Sequence, residues 1–171
     1  MKKIFFLCAI CLMALAIASC DKDNTGANDV SDIAPDGYVD LGLPSGTKWK
    51  TTNETRPNDT CDFYTYDEAV AKFGDNLPTI EQFLEIGNEC RWTFTDSGYV
   101  VVGKNGNFIV LPAAGNRKCN GMVNNVGTEG CYWSSMPSGS AYAWYIYFNS
   151  EGTHRSDALR CVGQSVRLVR N

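Results

Sequence analysis

The chain has 171 residues, with 15 Lys and Arg against 19 Asp and Glu, and a hydrophobic share of 44%. That length suits one domain of roughly 100–150 residues plus a leader. The acidic balance without a basic cluster argues against a nucleic-acid partner, and a single His with no C-x-x-C pair argues against a zinc site.

Lys2 and Lys3 precede an apolar run from Ile4 to Ile17, then Ala18-Ser19-Cys20. A charged start, a short apolar core and small residues before the cut form a secretory signal. The run is too short to span a bilayer comfortably. Ile17 to Cys20 resembles a bacterial lipobox. By that resemblance residues 1–19 are a lipoprotein signal peptide and Cys20 is the lipidated first residue of the mature protein. The implied location is the bacterial outer membrane, lipid-anchored and facing the cell surface, with the periplasmic face as the alternative. Residues 20–36 are rich in Asp, Asn, Thr, Ser and Gly and read as a flexible tether. Asp21-Lys22-Asp23 resembles an acidic export tag.

The charge is uneven. Residues 20–103 carry 6 basic and 16 acidic side chains, and residues 104–171 carry 7 and 3. Either a basic face awaits an anionic ligand such as an acidic glycan, or the two halves attract each other.

Residues 37–171 read as the folded domain. Tyr38 to Leu41 and Lys48 to Thr52 are short strands between turn signals. Thr65-x-x-Glu68 and Thr79-x-x-Gln82 are capping boxes that start two helices, with Gly74 stopping the first. Ile80, Phe83, Leu84 and Ile86 give the second an apolar stripe. Trp92 to Thr95 and Tyr99 to Val102 form a hairpin, and Asn105-Gly106 turns into Phe108 to Leu111. A long Gly- and Asn-rich loop follows, then strands at Tyr132-Trp133, Trp144 to Phe148 and Ser165 to Val169. Arg155 to Leu159 shows no period. Two helices followed by an antiparallel meander imply an α+β class. Trp49, Trp92, Trp133 and Trp144 are expected in the core. On the strand around Ile146, alternation predicts Trp144, Ile146 and Phe148 inward, and Tyr145 and Tyr147 outward.

Several stretches together resemble the Fibrobacter succinogenes major paralogous domain, a family similar to C-type-lectin-like domains. They are Tyr38 to Trp49, Leu77 to Ile86, Trp92 to Phe94, Gly103 to Gly115, Gly130 to Ser135 and Gly163 to Val169. The resemblance spans nearly the whole domain and implies two helices packed on antiparallel sheets with long irregular loops. The last third, from Cys119, resembles the variable protein of a diversity-generating retroelement, in which template adenines are mutated and Asn codons become many residues. The resemblance implies a variable face over residues 116–162, with Asn120, Asn124, Asn125, Tyr142, Tyr145, Tyr147, His154, Ser156, Asp157 and Leu159 binding the ligand. Cys131 and Ala158 are further candidate diversified positions, and Met122 a candidate apolar anchor. Exposed Tyr gives large contact area at low entropy cost. Tyr142, Tyr145, Tyr147, His154 and Asp157 are expected on one exposed patch with Asn120 and Asn124.

Five Cys fall in the domain, an odd number in an oxidising compartment. Cys119 opens the variable stretch and Cys161 closes it, so these two are expected to pair. Cys61 and Cys90 flank the helices and form the second expected pair. That leaves Cys131 as an accessible thiol. Asn149, Glu151 and Asp157 match no calcium-site spacing, and no cofactor motif is present. The reading is a binding protein, not an enzyme, with an unidentified protein or glycan as ligand. A structural or adhesin subunit of a surface assembly is the alternative.

Overall fold

Two reciprocal caps place the helices. Helix α1 (Tyr66–Phe73) starts at Thr65, whose side chain accepts from the Glu68 N–H while Glu68 accepts from the Thr65 N–H. Helix α2 (Ile80–Glu89) repeats the device with Thr79 and Gln82. Each such cap is worth about 1 kcal/mol. Gly74 ends α1 at φ 49°, a conformation that a side chain would strain. The apolar stripe of α2 buries Ile80, Phe83 and Ile86, with Leu84 left exposed.

The computed structural model describes residues 34, 36–57, 59 and 61–171. The expected signal peptide, the lipidated Cys20 and residues 21–33 of the tether lie outside them. The class is α+β with antiparallel sheets. Strands β1 (Tyr38–Asp40), β2 (Lys48–Lys50) and β11 (Val169–Arg170) share one sheet, so both ends of the domain meet. Strands β3 (Arg91–Thr95), β4 (Gly98–Val102) and β5 (Phe108–Pro112) form the expected meander. The Gly- and Asn-rich loop contains a small hairpin, β6 (Asn116–Arg117) with β7 (Val123–Asn124). Strands β8 (Gly130–Ser138), β9 (Tyr142–Asn149) and β10 (Gly152–Leu159) form the third sheet with β9 central.

The aperiodic run Arg155 to Leu159 therefore lies within an eight-residue strand. Strand β10 is the outer strand of its sheet and exposes alternate residues on both faces, so no hydrophobic period marks it. Ser165 to Leu168 is not a regular strand; it is held by bridges such as Tyr132 to Ser165, and only Val169–Arg170 pairs as β11.

The β8–β9–β10 sheet separates two apolar clusters. One face of β8–β9 sends Tyr132, Ile146 and Phe148 into the larger cluster with Trp49, Phe83, Tyr99 and Ile109. The other sends Trp133 and Ala143 into a smaller cluster beneath α1, with Tyr66, Leu77 and Val166. Each large apolar side chain buried this way contributes roughly 1.5–3 kcal/mol. Gly130 is fixed by this packing, since a Cβ there would sit 2.1 Å from the Phe148 ring. Trp49 and Trp133 are fully buried, and Trp92 and Trp144 pack partly exposed against the larger cluster.

Arg167 is a buried cation, 1% exposed. Its guanidinium donates to Asn53 Oδ1 (2.9 and 2.7 Å), Lys50 O (2.8 Å) and Val110 O (2.7 Å). Asn53 in turn donates to the Tyr132 hydroxyl, which donates to Pro112 O. Burial lowers the Arg167 pKa, and the oxygens around it offset part of that cost. Replacing Arg167 by Met should strand these buried acceptors and lower unfolding free energy by about 3 kcal/mol or more. Arg167→Lys should lose part of this, since an ammonium cannot reach the whole fork of acceptors. Urea unfolding midpoints of both variants test the expectation, and an unchanged midpoint for Arg167→Met refutes it.

Candidate functional site

Strand register decides which candidate residues share a face. Strands β9 and β10 pair His154 with Tyr147, Ser156 with Tyr145, Asp157 with Trp144 and Leu159 with Tyr142. Directly opposed residues project to the same side. Tyr145, Tyr147, His154 and Ser156 therefore share the face away from α2. Tyr142, Asp157 and Leu159 lie on the opposite face with Trp144. The single patch expected from the sequence is thus divided between two sides of one sheet. The expectation overlooked parity: Tyr142 and Tyr145 are three residues apart on one strand.

The first face carries a continuous row of rings. Tyr66 of α1 meets Trp133 edge-on at 5.5 Å between centroids, and Trp133 meets Tyr145 at 6.1 Å. Tyr145 meets Tyr147 at 5.9 Å, and Tyr147 stacks on His154 at 5.0 Å. The row runs from a fully buried indole to an exposed imidazole. Such ring pairs add about 0.5–1.5 kcal/mol each beyond burial. Tyr145 packs half-buried on the smaller cluster. It is a bridging residue rather than a freely exposed one.

The loop before β8 closes on this row. Asn125 donates to Glu129 Oε2 (2.7 Å), and the same oxygen lies 3.7 Å from the Cys131 thiol. Cys131 stands opposite Tyr147 across β8 and β9. Asn116 donates to the Cys131 sulfur (3.6 Å) and pairs with Asn124 across the small hairpin. Asn124 and Asn125 are thus linked, through Asn116 and Glu129, to Cys131, the cross-strand neighbour of Tyr147. Asn120 stays in the turn beside Cys119, with its side chain accepting from the Met122 N–H. A 280 Å³ hollow lined by Asn125, Thr128, Glu129, Asn149, Ser150 and Glu151 bounds the open end of the row. Sequence reasoning missed Asn116 and Glu129. The available signal was period two, which puts Glu129, Cys131 and Trp133 on one side. Asn149 and Asp157 lie on opposite faces, so they do not converge with Glu151 on one ion.

Cys119 and Cys161 form the expected disulfide, Cα to Cα 5.2 Å. Two residues inward, Arg117 and Gly163 exchange both backbone hydrogen bonds (2.8 and 2.7 Å), so bridge and disulfide clamp the hairpin to the end of β10. The second expected pair does not form: Cys90 closes α2 as a thiol. Cys131 is a thiol as expected, but it is fully buried, not accessible. Burial first, and the nearby Glu129, push its pKa up to about 12 against the amide hydrogen bond from Asn116. The cationic C-terminal half is largely neutralised internally. Arg117 pairs with Asp59, Arg160 with Asp67, Arg170 with Asp36 and Lys104 with Glu89. This favours mutual attraction of the halves over an open basic face.

No family model, curated protein or solved structure matches the chain.

Burial pushes the hydroxyls of Tyr132 and Tyr145 up to about 12, with Cys131 adding to both and Glu129 to Tyr145. A tyrosine whose folded pKa exceeds its unfolded value of about 10 holds its proton more tightly when folded. That contribution is complete below pH 10 and is lost as pH rises toward 12. The domain should therefore unfold in alkali within that window. Absorbance at 295 nm should show two tyrosines titrating together with loss of the circular dichroism signal. Both ionising in a still-folded chain would refute the assignment.

Proposed function

We propose that this chain is a surface-anchored lipoprotein, held by lipid on Cys20. Its domain has a C-type-lectin-like architecture and displays a ligand-binding face. That face is the outer end of the ring row, Tyr147 and His154, with Ser156, Asn124 and Asn125 around it. A retroelement diversifies these positions, and the ligand is a protein or glycan on another surface. The observation that carries this reading is the gradient along the row. Trp133 is locked in the core, Tyr145 packs on the smaller cluster, Tyr147 is half-buried and His154 is exposed, so the outermost side chains can change with little disturbance to the floor. Two capped helices on antiparallel sheets support the architecture, and the Cys119–Cys161 clamp supports a rigid platform for the display loops. Binding is favoured over catalysis partly because burial pushes the Cys90 and Cys131 thiols to about 11 and 12, out of reach of nucleophilic chemistry at neutral pH.

The genomic DNA beside the gene is the direct test. An imperfect repeat that differs only at adenines is expected, with differences in the codons for Asn124, Asn125, Tyr147, His154 and Ser156 and none in those for Trp133 or Phe148. A complete genome without such a repeat removes the retroelement. In the same strain a palmitate analogue should label the parent chain but not Cys20→Ser; equal labelling removes the anchor.

The gradient also has a stability signature. Tyr147→Ala or His154→Ala, which break ring contacts at the outer end of the row, should each lower unfolding free energy by about 1 kcal/mol. Tyr145→Ala, which opens space over Trp133, should cost about 2–3 kcal/mol. Thermal melts of the three variants decide, and equal losses at Tyr145 and Tyr147 would show that both are core.

A further inference from the structure

The opposite face of the same sheet holds a cleft. Helix α2 covers β8 and β9 on that side, and a space of 420 Å³ lies between α2 and β10. Its floor is apolar, made by Trp92, Tyr99 and Ile146. The α2 wall is Leu84, Gly87 and Asn88, and the β10 wall includes Thr153 and Arg155. The size falls within the roughly 300–1,000 Å³ typical of small-ligand sites, and the lining is mixed, with polar walls (Asn88, Thr153, His154, Arg155) over the apolar floor.

Two residues of the cleft are unexplained by the fold. Gly87 lies inside α2, where glycine destabilises a helix relative to alanine. Its φ is not among the positive ones, and a Cβ there would meet nothing within 4 Å. Neither backbone nor packing requires glycine at this position. What the missing side chain leaves is room in the cleft. Arg155 is exposed and stands 5.8 Å from the Trp144 ring centroid, which steadies it. Among the described residues its guanidinium has no carboxylate partner, whereas Arg56, Arg117, Arg160 and Arg170 each have one. The cleft lining contains no Asp or Glu. His154 reaches the rim, but its ring is stacked on Tyr147 toward the other face.

We propose that the cleft between α2 and β10 binds a small amphipathic anion, an apolar or aromatic body carrying one carboxylate, with Gly87 kept small to admit the body and Arg155 holding the charge. The apolar part lies on Trp92, Tyr99 and Ile146. This site lies on the other side of the sheet from the display face and shares with it only His154, at the rim.

The probes are decanoate and 4-phenylbutyrate, with decanol as the uncharged control, titrated into the ¹⁵N-labelled protein. The parent should show saturable shifts of the Gly87 and Asn88 amides and of the Trp92 indole N–H, which donates to Ile86 O (2.8 Å). Arg155→Gln should weaken both acids by about three- to tenfold and leave decanol unchanged. Gly87→Phe should abolish binding of all three. Gly87→Ala should raise the melting temperature by about 2–3 °C, showing that the position tolerates a side chain. Three results would each overturn the proposal: no saturable shift with either acid at millimolar concentration, unchanged affinity in Gly87→Phe with a parent-like spectrum, or equal weakening of decanol and decanoate by Arg155→Gln.

Discussion

A buried guanidinium organises this domain. Arg167 donates from the C-terminal segment to the backbone of β2, to the backbone of β5 and to Asn53 in the loop after β2, and Asn53 extends the network to the Tyr132 hydroxyl on β8. No single apolar contact could tie so many separate chain segments at fixed angles. A cation enclosed this way is costly unless its donors find acceptors. The fold supplies two main-chain carbonyls, which cannot be removed by mutation, and the side-chain oxygen of Asn53. The sheet that closes the chain ends, the central meander and the β8–β9–β10 sheet therefore take their relative positions partly from one side chain.

What was legible in the sequence was local. Both capping boxes sit where Thr-x-x-Glu and Thr-x-x-Gln put them, because that reciprocal hydrogen bonding involves only neighbours along the chain. The β3–β4–β5 meander was legible because its turns carry Gly and its strands are rich in Val, Ile and Phe. Strand β10 was not, because an outer strand with one neighbour need not alternate. The β6–β7 hairpin was not, because its strands are two residues long and polar. The patch was misread for a related reason. Tyrosines near one another in sequence looked alike in chemistry, but the pleat sends Tyr142 and Tyr145 to opposite sides. The cysteines show the same limit: the Cys119–Cys161 pair was legible from position, but the burial of Cys131 depends on a hairpin and loop the sequence did not announce.

The β8–β9–β10 sheet thus serves two environments at once. Its β8–β9 portion is dry on both sides, with Trp133 and Ala143 beneath α1 and Tyr132, Ile146 and Phe148 in the larger cluster. Toward β10 the cover ends on both sides, leaving the ring row open on one face and the cleft on the other. Buried and open surface are separated by distance along the sheet, not by separate domains.

The position of β10 at the edge sets a different boundary on change. Among the described residues its outer row of peptide groups has no neighbouring strand, and an uncovered edge can template pairing with another copy of the chain. Arg155 and Asp157 interrupt that edge with charge, and the strand has no long apolar run. Under the proposed function, variation here is therefore limited by colloidal behaviour sooner than by unfolding. A face could carry almost any outer side chain and still fold, but combinations that strip charge from β10 and add aliphatic residues would drive molecules together edge to edge. Under the proposed function, the usable repertoire is the set of sequences that remain dispersed at the density of a crowded surface.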